Sequence, residues 1–198
     1  MSKLQLYYPI KPFVITQKFG IKNTDPVYLP LYQQMGLVGH NGWDIVGTTG
    51  QVVRAMHDGI ISFTGEDSKG GIGIVVRTKE QYEDEERNLC YWKSIYWHLL
   101  PGSIKVTVGD EVKAGDVLAQ CDSTPPGLKP HLHVGIKQIA IGEDNWSWYN
   151  LQQTNGYFGA CDIEPYWNNQ YAADIPTMQQ IIILLKKVVE LLTSAIKK

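Results

Sequence analysis

At 198 residues, 43% of them hydrophobic and 19% charged, the chain is long enough for one full-sized domain with a buried core and an appendage. A net charge of −2 supplies no basic surface and speaks against a nucleic-acid partner, and no run of about 18 apolar residues offers an unaided bilayer span. Nineteen glycines, eleven tyrosines and six tryptophans point instead to a turn-rich β protein with aromatic surfaces.

In chain order, the opening Met1 to Pro9 has no charged region followed by an apolar stretch, so no secretory leader is expected and the chain would be made in the cytoplasm. Next comes His40-Asn41-Gly42-Trp43-Asp44. In a straight strand residues four apart sit ~13 Å apart, so His40 and Asp44 converge only if the backbone bends, and Gly39 and Gly42 are expected to allow that. Gly59 to Thr64 alternates, placing Ile61 and Phe63 on one face and Ser62 and Thr64 on the other. Ile72, Ile74 and Val76 repeat the period, as do Ile95-Tyr96-Trp97-His98 and His131 to Ile136. Turn signals at Gly70-Gly71, Gly109-Asp110 and Gly115-Asp116 punctuate these strands. The charged stretch Lys79 to Arg87 reads as a solvated hairpin tip, with a substrate-gating loop as the alternative.

From about 139 to 173 the sequence turns irregular and aromatic, with Trp146, Trp148, Tyr149, Tyr157, Phe158, Tyr166 and Trp167, a segment expected to wrap the sheet. Over 174–198 the character changes again. After Ile175-Pro176, Met178, Ile181, Leu185, Val188, Leu192 and Ala195 recur at spacings of three and four. Ile182, Val189 and Ile196 widen the stripe, and Lys186, Lys187, Glu190, Lys197 and Lys198 mark the other face. This amphipathic helix, ~36 Å long, either packs back or self-associates, or it lies on a membrane surface. The expected organisation is a mainly β, antiparallel sheet or barrel-sandwich domain over 1–173 and a C-terminal helix over 174–198. Cys90, Cys121 and Cys161 match no redox or zinc spacing and read as buried or free thiols, with one disulfide as the alternative.

Histidine and carboxylate without a nearby thiolate are what a catalytic rather than a structural zinc selects. His131 and His133, two apart on a strand, share a face, so one can ligate while the other stands at the open coordination position. His98 closes another strand, whereas His57 lacks a companion motif. No His-Glu-x-x-His helix occurs, so a general base has to be histidine.

From Pro9 to Tyr166 the chain resembles the lysostaphin/LytM-type zinc metalloendopeptidases that cut peptide cross-links in bacterial cell walls. The likeness is carried by Ile15-Thr-Gln-Lys-Phe-Gly20, Gly39-His-Asn-Gly-Trp-Asp-Ile45, Ala55-Met-His-Asp-Gly-Ile-Ile61, Tyr96-Trp-His-Leu99, Val106 to Leu118 and Pro130-His-Leu-His-Val134. The resemblance implies that His40, Asp44 and His133 ligate zinc and that His98 and His131 are the catalytic histidines. It implies peptidoglycan peptides as substrate. Together with the missing leader, it suggests a phage lysin or virion-associated hydrolase that reaches the wall after lysis, on a particle or by non-classical export. One departure is the turn Asp122 to Pro130, longer and stiffer than the family's usual Ser-Thr-Gly type, which leaves the bond cleaved open. The alternatives are an inactive wall-peptide-binding or hydrolase-activating module of the same fold, and a biotinyl/lipoyl-type carrier suggested by Val106 to Leu118. Filled ligand positions oppose the first, and the lack of a Met-Lys-Met-like triplet opposes the second.

Overall fold

The computed structural model describes residues 2–26, 28–67, 71–124, 129–141, 148–172, 181–182, 184–189 and 192. Twelve strands are named among them: β1 (Ile15–Gln17), β2 (Trp43–Val46), β3 (Val52–Arg54), β4 (Gly59–Asp67), β5 (Gly71–Arg77), β6 (Tyr82–Glu83), β7 (Leu89–Trp97), β8 (Glu111–Val112), β9 (Val117–Gln120), β10 (His131–Ile141), β11 (Trp148–Asn150) and β12 (Ala160–Cys161). A six-residue helix, α1 (Leu29–Gln34), and a 3-10 turn at Glu164–Tyr166 complete the named elements. The fold is mainly β and antiparallel, as expected.

The large sheet runs β1-β2-β10-β7-β5-β4-β8, with β11 and β12 added to β10 and β6 added to β7; β3 and β9 form a separate pair. β10 is the central organiser. It pairs with β2 over His131 to Val134 and with β7 over His133 to Ile139, which brings three sequence-distant motifs side by side. Its even-numbered residues Leu132, Val134 and Ile136 face the core with Trp92, Tyr96, Ile74 and Val76, all 0% exposed. Its odd-numbered residues, the two histidines among them, therefore share the opposite face. Leu4 and Leu6 from the N-terminal segment and Ile163 and Tyr166 from residues 163–166 join this core side by side, Leu6 N–H donating to the Tyr166 carbonyl (2.8 Å).

The expected alternation breaks in β4. Ile61 pairs with Val76 but Phe63 pairs with Val75, so a bulge at Ser62 puts Ile61 in the core and Phe63 on the far face, 6.0 Å from the Trp97 ring. The Lys79–Arg87 stretch is a hairpin tip: β6 pairs with β7, and the Asp84 carboxylate accepts from the amides of Glu86 and Asn88. All three cysteines are free, Cys90 and Cys121 being buried. Residues 181–182, 184–189 and 192 are helical and exposed, with Leu184, Leu185 and Val188 among the uncovered side chains. No helix among the described residues is long and apolar enough to cross a membrane. Gly70, Pro125 to Leu128, Trp146 and the helix positions 174–180, 190 and 193–198 lie outside the described residues, and the side chains of Trp148 and Tyr149 are not described.

Candidate metal centre

His40 is fixed before β2 by two backbone bonds to the 20–21 segment, from Gly20 N–H to the His40 carbonyl (2.8 Å) and from His40 N–H to the Ile21 carbonyl (2.9 Å). Gly39 and Gly42 are needed for a different reason from the one the sequence suggests. Neither adopts a positive φ; both are sites of close approach. A Cβ on Gly39 would stand 2.7 Å from the Gly20 carbonyl oxygen, and one on Gly42 would meet the Val134 carbonyl at 2.2 Å and His133 Nε2 at 2.8 Å. Asp44 lies in β2 directly opposite His133 in β10.

These placements bring three donor atoms into a small triangle. His40 Nε2 lies 3.1 Å from His133 Nδ1 and 3.1 Å from Asp44 Oδ1, and His133 Nδ1 lies 2.9 Å from Asp44 Oδ1. Ligands at zinc-like N and O bond lengths on tetrahedral corners would be ~3.3 Å apart, so the donor set fits such an ion. His40 Nδ1 faces the Lys18 carbonyl at 3.3 Å. A carbonyl only accepts, so Nδ1 carries the proton and Nε2 turns a lone pair toward Asp44. Two lone pairs at that distance need a proton or a cation between them. Among the described residues, His40, Asp44 and His133 form the one cluster of three ligand-type side chains able to hold a metal.

Electrostatics favour the ligating protonation states. Burial alone would raise Asp44, but the His133 and His40 rings set against it outweigh that and hold the carboxyl well below the usual carboxylate range. Burial lowers His133 against the opposing pull of Asp44, keeping the imidazole neutral.

Two further histidines border this triangle. His98 follows β7 with a left-handed backbone, φ 66°, and that turn breaks the alternation which would have pointed it into the core. Its ring instead lies 4.5 Å from that of His131 and 6.0 Å from that of His133. His98 Nδ1–H donates to the Thr124 carbonyl and His131 Nδ1–H to the Lys129 carbonyl. Both therefore present Nε2 as a base, and His131 Nε2 reaches to 3.8 Å from Asp44 Oδ1. Burial, reinforced by His133 and His131, pulls His98 down to about 4.

All five residues singled out from the sequence thus meet in one place. His57 does not join them. It is buried beneath the sheet, with Nε2 2.8 Å from Ser94 Oγ and Nδ1 2.8 Å from the Asp58 carbonyl. Sequence reading missed Tyr32, on α1, whose phenol is pushed up by burial and then by the charge of Asp44. It also missed the carbonyls of Lys18, Thr124 and Lys129, which no side-chain motif can announce.

Among curated proteins none matches the chain. Solved structures do. A zinc containing peptidase from Vibrio cholerae is 24% identical, with 75% of this chain and 39% of that one covered and a TM-score of 0.53. Csd3 of Helicobacter pylori is 19% identical, with 97% and 44% covered and a TM-score of 0.55. The catalytic domain of the antimicrobial peptidase lysostaphin from Staphylococcus simulans is 21% identical, with 78% and 91% covered and a TM-score of 0.53. The matches thus take in about two fifths of the length of the first two proteins and nearly all of the lysostaphin catalytic domain. At these identities the likeness is one of fold. The sequence model of peptidase family M23 goes further, matching residues 38–146, more than half of the chain, and with them every histidine and the carboxylate of the cleft. The chain belongs to peptidase family M23.

Proposed function

We propose that this family M23 peptidase is a zinc-dependent endopeptidase hydrolysing cross-links or stem peptides of bacterial peptidoglycan. The observation that carries the reading is the triangle of His40 Nε2, His133 Nδ1 and Asp44 Oδ1, with edges of 2.9 to 3.1 Å. The motif resemblance to wall-cutting lysostaphin-type enzymes supplies the substrate class. A zinc-containing peptidase and an antimicrobial peptidase among the similar structures agree with it.

In this reading His40, Asp44 and His133 hold the ion. Zinc, when bound, lowers the pKa of water toward neutrality and polarises a carbonyl. His98 and His131 do the proton work. Each is anchored through Nδ1–H on a backbone carbonyl, so each can accept a proton at Nε2 from the attacking water and return it to the departing amine nitrogen. While protonated, either imidazole can donate to the developing oxyanion. The β2–β10 pairing sets Asp44 directly opposite His133, so the two ligands stand side by side.

The test separates ligand from base. His40→Ala and His133→Ala should lose zinc and hydrolysis together, whereas His131→Ala should keep most of its zinc and lose ~10² to 10⁴ in turnover. A His131→Ala enzyme with near-normal turnover would overturn the assignment of roles. Zinc bound by the intact chain with no cleavage of any wall peptide would favour the non-catalytic binding module.

A further inference from the structure

The face of the sheet that carries the metal ligands also carries two lysines, Lys93 and Lys137, set directly opposite each other. β10 and β7 pair without a bulge from His133–Trp97 through Gly135–Ile95 to Lys137–Lys93. The odd-numbered residues of both strands therefore share one face, and Lys137 lies four residues, ~13 Å, along β10 from His133. Like charges directly opposite one another destabilise a sheet. Both side chains are half-buried, which adds desolvation to repulsion. Burial lowers Lys93, while burial and then the charge of Lys93 pull Lys137 down to about 8.

Nothing described in the fold offsets these charges. Neither lysine makes an ion pair or hydrogen bond among the described residues. The neighbouring Cys161 thiol is itself pushed up by burial and supplies no counter-charge at neutral pH. Lys93 opens into a cleft of about 390 Å³ floored by Phe63, Val75, Trp97 and Ile139. Phe63 is there only because of the bulge at Ser62, and Trp97 is the cross-strand partner of His133, so the cleft begins beside the metal ligands. Glu66 and Asp67 stand on its β4 rim, and neither forms an ion pair with Lys93 among the described residues.

We propose that Lys93 and Lys137 form a carboxylate-binding subsite for the substrate peptide, with Trp97 and Phe63 packing against the chain between that carboxylate and the bond cleaved. The inference rests on the wall-peptide reading above and deepens it: the substrate class is an acidic peptide. A separation of ~13 Å corresponds to about four extended residues, so the carboxylate recognised lies three or four residues from the scissile bond.

Two measurements test it, and only one needs turnover. In the first, amine acetylation of the zinc-loaded protein is read by mass spectrometry in the presence of an N-acetylated stem peptide with free carboxylates, or of its carboxamide twin. The acidic peptide should slow labelling of Lys93 and Lys137 by roughly tenfold, leaving exposed Lys113 unaffected and the twin without effect. Equal labelling with both peptides overturns the proposal. In the second, the wild type should prefer the acidic peptide by about tenfold in kcat/KM, and in a Lys93→Met, Lys137→Met double variant that ratio should collapse toward one. Methionine keeps the apolar stem and removes the opposed charges, so the variant should melt no lower than the wild type. A folded, zinc-loaded double variant that keeps the preference sinks the subsite and leaves the peptidase reading intact. Protection of both lysines without cleavage of either peptide does the reverse.

Discussion

Gly42→Ala is the sharpest single-methyl probe of the metal centre. The added Cβ would stand 2.2 Å from the Val134 carbonyl oxygen, about 1.2 Å inside ordinary contact at 3.4 Å, and 2.8 Å from His133 Nε2. Val134 sits in β10, paired on both sides, so its carbonyl cannot retreat without disturbing β2 or β7. The methyl also presses the Nε2–Cε1 edge of the His133 ring, next to Nδ1, the atom that faces Asp44 at 2.9 Å. Overpacking of this kind costs ~1 to 3 kcal/mol. Its larger effect falls on the triangle, because ligand positions tolerate only about ±0.2 Å. Displaced ligand supports typically cost ~10- to 100-fold in metal affinity. At zinc concentrations of about 100 times the wild-type Kd, the ion should stabilise the wild type by ~2.7 kcal/mol, and after a hundredfold loss by only ~0.4. Urea unfolding with and without zinc, beside a competition titration with a chromophoric chelator, reads both numbers. A Gly42→Ala protein that binds zinc like the wild type and gains the same stability from it would refute the claim that this close approach sets the centre.

Further predictions concern the core and the chain end. His57 is buried and neutral, held below its ordinary range by burial, whereas the unfolded chain protonates it near pH 6.5. Below that pH the unfolded state binds the extra proton, so stability falls on acidification and is independent of this group above it. By pH 5.5 the loss reaches up to ~1.4 kcal/mol. Urea unfolding of metal-free wild type and His57→Gln at pH 7.5 and 5.5 should show the gap between them shift by about this amount toward the variant, and parallel profiles would contradict the burial argument. Deleting 175–198 should change the sedimentation behaviour or vesicle binding more than hydrolysis of a small peptide, since Leu184, Leu185 and Val188 are uncovered. Equal loss of both would show that the segment helps hold the catalytic domain together.

The parts of this fold that obey simple periods were legible in the residues. His131 and His133 are two apart, so a strand puts both on one face, and the core positions Ile74, Val76, Leu132 and Val134 follow the same rule. What escaped reading are departures from the period. The extra residue at Ser62 sends Phe63 across the sheet, and the left-handed backbone at His98 turns its ring out of the core; neither leaves a mark in hydrophobic patterning. Gly39 and Gly42 were legible as special positions, but the choice between unusual torsion and close approach depends on Gly20 and Val134, which are distant in sequence. The short α1, without a buried residue, lacks an apolar stripe to announce it, and Tyr32 went unnoticed with it.

The central claim is that His40, Asp44 and His133 enclose one divalent cation. Anomalous scattering at the zinc edge from crystals of the zinc-loaded protein tests it most directly. The account predicts a single strong peak within ~2.0 to 2.2 Å of His40 Nε2, His133 Nδ1 and an Asp44 carboxylate oxygen. Crystals grown in ample zinc that show no peak there, or a peak held by other side chains, would contradict it.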